Sequence, residues 1–195
     1  MTVCAHGQHT LDCTACRDLA AATAATAATA TAATVPKNLV TVLRGAPGIG
    51  KSAWALRRAT ERARAVTIVS ADDYFTTSTG YAFNASKLTE AHNECLRGFL
   101  VALQLRVPHV IVDNTNTSDW EISPYIALAR VHGYATEILH FDYDHTVYPV
   151  RLAASRLALR TSHGVPSTTI EQALLRLEKS LPPPFPSQRV LRVAL

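Results

Sequence analysis

From residue 38 onward, short β-branched apolar runs alternate with stretches whose apolar residues recur at helical spacing. The runs at 38–43, 65–70, 109–113 and 136–141 are short and centred on Val, Ile and Leu. That pattern predicts strands buried on both faces. Between the first two, Ser52 to Arg64 contains neither Gly nor Pro and predicts a helix. Within residues 81–106, Leu88, Ala91, Cys95, Phe99 and Ala102 share one helical face, with Asn84 or Ser86 as the N-cap. Cys95 is therefore expected to pack as a small apolar residue. His92, in the same helix, reads first as a packed or surface histidine and second as a substrate contact. Thr117-Ser118-Asp119 opens a helix from Trp120 to about His132, stopped by Gly133. Further helices are expected from about Thr146 to Leu159, and from a cap at 165–168 through about Ser180. Strands alternating with helices give the α/β class, with a parallel sheet flanked by helices. Pro182-Pro183-Pro184-Phe185-Pro186 stops regular structure, and residues 188–195 read either as a short edge strand or as loose chain.

Candidate chemistry sits where these strands end. Gly45-Ala46-Pro47-Gly48-Ile49-Gly50-Lys51-Ser52 fits G-x-x-x-x-G-K-[ST], the phosphate-binding P-loop, and lies between a strand and a helix as that loop requires. The expected nucleotide-binding residues are Gly45, Pro47, Gly48, Ile49, Gly50, Lys51 and Ser52. Their backbone N–H groups and the helix N-terminus would face the phosphates. Lys51 would reach the β- and γ-phosphates, and Ser52 would offer its hydroxyl to Mg²⁺. The second strand runs into Asp72-Asp73, and Asp72 is the first choice for a general base toward an attacking hydroxyl. The alternative is that the acidic pair merely caps a turn. The third strand ends in Asp113, which reads as the acidic residue that positions Mg²⁺ or its water, followed by Asn114, Thr115 and Asn116 as hydrogen-bonding groups of the same crevice. Arg156 and Arg160 share a helical face ahead of Thr161-Ser162-His163-Gly164. They suit a helical lid over ATP, or alternatively a solvated basic face.

Composition changes the picture mainly at the N-terminus. Residues 20–34 are a near-repeat of Ala-Ala-Thr without charged or large apolar residues, which reads as a low-complexity linker. Ahead of it, Cys4, His6, His9, Cys13 and Cys16 crowd into a short stretch. Cys4, His9, Cys13 and Cys16 would suit Zn²⁺, and the alternative is a tail whose thiols do nothing specific. The expected organisation is a flexible segment over 1–36, a P-loop kinase domain over 37–181 and a Pro-rich tail over 182–195. For a chain of 195 residues, 48% hydrophobic content suits one domain able to bury a core, and a net charge of +4 is compatible with a nucleotide or nucleic-acid partner. No run approaches the ~18 apolar residues of a membrane span, no secretory leader is apparent, and four cysteines form no disulfide framework, so the cytoplasm is the expected compartment.

Taken together, the P-loop, residues 70–75, Tyr81-Ala82-Phe83, Ala91-His92, residues 112–117, Trp120-Glu121 and residues 161–166 come in one order. That set resembles the P-loop kinases related to the 5′-hydroxyl polynucleotide kinase domain of phage end-healing enzymes, over about residues 39–177, and within them the small ATP-binding subgroup. The resemblance implies an adenylate-kinase-like core, ATP, Mg²⁺ and transfer of the γ-phosphate to a hydroxyl. It makes Asp72 the base, puts Lys51 and Ser52 on phosphates and metal and Asp113 in the substrate crevice, and makes Arg160 the lid arginine on ATP. Two positions depart from the pattern: Phe75 stands where an arginine follows the base, and His163 stands where a further lid arginine is expected. The leading acceptor is a 5′-OH polynucleotide end. The alternatives are a small-molecule hydroxyl (nucleoside, sugar or antibiotic), or a nucleotide-dependent binding module with little turnover.

Overall fold

The computed structural model describes residues 38–61, 65–180 and 188–195. Cys4, His9, Cys13, Cys16 and the Ala/Thr tract lie outside the described residues, so the zinc reading has no structural counterpart. The compact unit that holds the described residues runs from Pro36 to Leu195.

Five parallel strands make the central sheet: β1 (Leu39–Arg44), β2 (Val66–Val69), β5 (His109–Asp113), β6 (Ala135–Tyr143) and β7 (Gln188–Val193), in spatial order β2-β5-β1-β6-β7. Helices cover both faces, which is why the central strands β1 and β5 are buried along nearly their whole length. Val40, Val42, Val110, Val112 and Ile138 face one core together with Ala91, Cys95 and Phe99 of α2 (Leu88–Gln104) and Ile122, Tyr125 and Ile126 of α3 (Asp119–Val131). The opposite core takes Leu43, Ile111, Leu139 and Phe141, with Ala55 of α1 (Lys51–Glu61), Leu157 of α4 (Val150–Ala158) and Ile170 and Leu174 of α5 (Ser167–Lys179). The parallel sheet flanked by helices that the pattern predicted is thus the observed fold, and Cys95 is buried as expected.

Four local features differ from the sequence expectation or choose between its alternatives. Residues 76–81, most of which the pattern assigned to no element, form a small antiparallel hairpin of β3 (Thr76–Thr77) and β4 (Gly80–Tyr81), with Thr76 paired to Tyr81. Asn84, rather than Ser86, caps the chain that follows, its side chain accepting the Ser86 N–H at 3.0 Å. Helix α4 begins at Val150 instead of near Thr146. Asp144 accepts both the N–H and the hydroxyl of Thr146, closing a turn, and Pro149 takes the N-cap position. Residues 188–193, set apart with the C-terminal tail, form β7 and extend the sheet beyond β6.

The end of β1 is pinned by a buried cation. Arg44 is fully buried, paired with Asp119 at 3.1 Å, and donates to the Thr117 carbonyl and the Ser180 hydroxyl. A charge out of water persists only with such partners. Here they tie the strand that feeds the P-loop to the start of α3 and the end of α5.

Candidate active site

The topology alone gathers the chemistry. Strands β2, β5 and β1 are neighbours and parallel, so their carboxyl ends open on one side of the sheet. The acidic 3₁₀ turn Ala71–Phe75, then Asp113, then the P-loop follow those three strands in that spatial order.

The P-loop glycines meet real steric demands. Gly45 has φ +148° and Gly48 +77°, conformations that L side chains rarely adopt. A Cβ on Gly45 would stand 2.9 Å from the Phe141 carbonyl oxygen, and one on Gly48 would overlap the Leu157 carbonyl and crowd Thr161 at 3.2 Å. The end of α4 and the loop after it therefore pack directly on the phosphate loop.

Lys51 is buried and curls back over its own loop, its Nζ donating to the carbonyl oxygens of Gly45 and Ala46 at 3.0 Å each. Burial pushes its ammonium down to about 8, against the opposing pull of the Asp113 and Asp72 carboxylates. Asp113 is raised from its ordinary value, first by burial. The Ser52 hydroxyl bond and the Lys51 charge oppose the rise, and Asp72 and Asp73 add to it. The Asp113 Oδ1 atom is buried without a hydrogen-bond partner. A buried, unsatisfied carboxylate oxygen next to the P-loop serine fits a divalent cation that shares its shell with phosphate oxygens and water. Among the described residues no group of three or more His, Cys, Asp or Glu is arranged to hold a metal, so any cation here would rest on this two-group pairing.

Asp72 sits on the exposed surface of the 3₁₀ turn, near enough to feel both Lys51 and Asp113. The Tyr81 hydroxyl donates to its Oδ1 at 3.1 Å. Asp73, on the same turn, is raised by burial, although a Ser70 backbone bond lowers it. The structure thus brings Lys51, Ser52, Asp72 and Asp113 into one constellation.

Other predicted site residues lie elsewhere. Asn114 and Asn116 are buried and turned inward: Asn114 Oδ1 accepts the Ala71 N–H at 2.9 Å, and Asn116 Nδ2 donates to the Leu43 carbonyl at 2.7 Å. The Thr115 carbonyl accepts the Gly45 N–H at 2.9 Å. These three brace the crevice from behind instead of lining it. Arg156 donates to the Leu195 carbonyl at 3.1 Å, with its guanidinium 4.9 Å from the Tyr148 ring centroid, and Arg160 donates to the Ala194 carbonyl at 3.0 Å. Both expected lid cations thus bond the main chain just past β7. Phe75 is buried, with its ring against Phe83 and Tyr81, so the position where an arginine would be expected belongs to the core. His92 is exposed on α2. Tyr81 and His163 received no role from the residues themselves; Gly80 just before Tyr81 is the one local sign of the hairpin that turns Tyr81 back toward Asp72.

Residues 40–184 match the family described as AAA domain. Human NEDD4-binding protein 2 is 33% identical over 147 residues, which is 75% of this chain and 8% of that protein. The chain therefore spans a small fraction of that relative. A chain of the Pnkp1/Rnl/Hen1 RNA repair complex superposes with a TM-score of 0.57 at 20% identity, covering 78% of this chain and 48% of that one. A gluconokinase from Sinorhizobium meliloti 1021 gives a TM-score of 0.50 at 18% identity, over 82% and 84% of the two chains. At these identities the superpositions show the fold.

Proposed function

This chain belongs to the AAA domain family and has a P-loop kinase-like fold, and from that premise we propose that it is a relative of the polynucleotide kinases that transfers the γ-phosphate of ATP to a 5′-hydroxyl end of a polynucleotide. The observation that carries the kinase reading is the convergence of Lys51, Ser52, Asp72 and Asp113 at the ends of three adjacent strands. The P-loop amides and Lys51 hold the phosphates, and Lys51 leaves its own loop carbonyls to do so. Ser52 and Asp113 would hold Mg²⁺, and the ion would supply charge neutralisation on the phosphates. Asp72 accepts the proton of the acceptor hydroxyl as that oxygen bonds the γ-phosphorus. The bond from phosphorus to the β–γ bridging oxygen breaks, and ADP leaves. General-base help of this kind contributes about 10²–10⁴-fold. The cytoplasm, where ATP and reduced thiols are plentiful, is the compartment we infer.

The polynucleotide acceptor is supported by the order of residues shared with end-healing kinases and by a net charge of +4. A small-molecule hydroxyl is the second reading. Phe75 favours it, because its burial removes the position from which an arginine would contact a substrate phosphate. The test is transfer of γ-labelled phosphate from ATP with Mg²⁺ to 5′-OH DNA and RNA oligonucleotides, with Asp72→Asn as control. Label that appears with wild type and is lost in the variant, while ATP binding persists, supports the reading. ATP binding without oligonucleotide labelling overturns the polynucleotide acceptor, and near-normal transfer by Asp72→Asn overturns the base.

A further inference from the structure

Asp72 lies on an exposed turn, where a carboxylate ordinarily samples several rotamers. Two aromatic rings limit that freedom. The Tyr81 hydroxyl donates to Asp72 Oδ1 at 3.1 Å. The Tyr81 ring stacks on the His163 imidazole, with centroids 3.8 Å apart and planes 22° apart, and meets the buried Phe75 ring edge-on at 6.2 Å. The hairpin sets this up. Thr76 pairs with Tyr81, and the Ala82 N–H bonds the Phe75 carbonyl at 2.9 Å, so Tyr81 folds back over the turn that carries Asp72. His163 comes from the loop after α4, in which Thr161 lies over Gly48 of the P-loop.

We propose that Tyr81 is a positioning residue for Asp72 and that His163 fixes Tyr81, so that the loop covering the phosphate site and the proton-accepting carboxylate are aligned through one stacked pair. With Oδ1 held by the phenol, the remaining oxygen of Asp72 stays free for the acceptor hydroxyl in a fixed direction. Orientation of that kind is worth about 10²-fold when lost. Burial, the Asp72 charge and the hydrogen bond together push the Tyr81 phenol up to about 12, so it remains an O–H donor across the neutral range. The stack also accounts for a histidine where a further lid cation was expected: an imidazole lies flat on the Tyr81 ring and holds it.

The rate test rests on the kinase reading above; a spectroscopic arm does not. Tyr81→Phe keeps the ring and the stack and removes only the hydroxyl. It is expected to lower kcat roughly 10- to 100-fold with KM for ATP unchanged. His163→Ala should lower kcat by a smaller factor, and His163→Phe, which restores a flat ring, should recover it. The cost of His163→Ala should vanish in the Tyr81→Phe background. Wild-type kcat in Tyr81→Phe, no recovery in His163→Phe, or costs that multiply in the double variant would each overturn the proposal. Should no acceptor be found, NMR titration of the ¹³Cζ-labelled tyrosines, assigned with Tyr81→Phe, still decides. Tyr81 should titrate near 12 in wild type and lower in Asp72→Asn. An unchanged titration in Asp72→Asn would overturn the Tyr81–Asp72 bond irrespective of the reaction.

Discussion

Raising the pH in the alkaline range should weaken ATP binding while it relieves strain in the free protein, and Lys51 makes both effects calculable. Its ammonium falls from 10.5 to about 8, chiefly through burial against its own loop. That drop corresponds to roughly 3 kcal/mol of disfavoured charge. In the free protein the sign is clear. Between about 8 and 10.5 the unfolded chain holds this proton and the folded chain has released it, so the Lys51 contribution to stability rises with pH over that window. Nucleotide binding runs the other way, because the phosphates need the ammonium. Below pH 8 the charge is already present and the affinity is flat. Above it, each ATP must bring a proton onto Lys51, so affinity falls by up to about tenfold per pH unit. Calorimetry of ATP binding between pH 7 and 9.5, in buffers of different ionisation enthalpy, reads both the affinity and the proton uptake. Uptake should approach one proton per nucleotide above pH 9, and Lys51→Arg, which keeps its charge throughout, should abolish uptake and slope together. A flat wild-type affinity across that range, or uptake that survives in Lys51→Arg, would refute the reasoning.

Two substitutions test the frame around that lysine. Gly48→Ala places a methyl group against the Leu157 carbonyl at φ +77°, a strain of about 1–2 kcal/mol before any clash, so ATP binding should be lost and the melting temperature lowered; unaltered calorimetric binding would show that the loop and the end of α4 are not packed this way. Asn114→Ala leaves the Ala71 N–H without its buried acceptor and should cost roughly 1–3 kcal/mol in urea unfolding, with unchanged stability counting against the brace.

What the sequence disclosed follows from the range of the interactions involved. Strands β1, β2, β5 and β6 were legible because both faces are buried, leaving continuous β-branched runs such as Val110-Ile111-Val112. The P-loop was legible because its chemistry is local, with all its residues contiguous. The hairpin was not, since strands of two residues carry no periodicity and Tyr81 is fixed by a hydroxyl bond and a ring contact. Strand β7 stayed open because it is a half-exposed edge behind a Pro-rich run, paired along one side to β6. For Arg156 and Arg160, type and spacing matched a lid, yet their partners are carbonyls of residues 194 and 195, which no local pattern reveals.

The polar run after β5 shows why residue type predicted the place but not the part. Asn114, Thr115 and Asn116 stand where ligands gather at the end of a central strand, and neutral hydrogen-bonding groups there read naturally as substrate contacts. Strand β5 lies between β2 and β1, so the chain leaving it is adjacent to both the acidic turn that carries Asp72 and the P-loop. Its groups divide accordingly: Asn114 takes the first N–H of the Asp72 turn, while Thr115 and Asn116 hold Gly45 and Leu43 at the root of the P-loop. Asn116 adopts φ +46° to do so, a conformation asparagine tolerates better than most side chains. The distance between the phosphate loop and the Asp72 turn is therefore set through a hydrogen-bonded segment that touches both. A turn with this task needs amides that donate and accept at fixed angles in a dry environment, and this also makes it resemble a binding site when read as sequence.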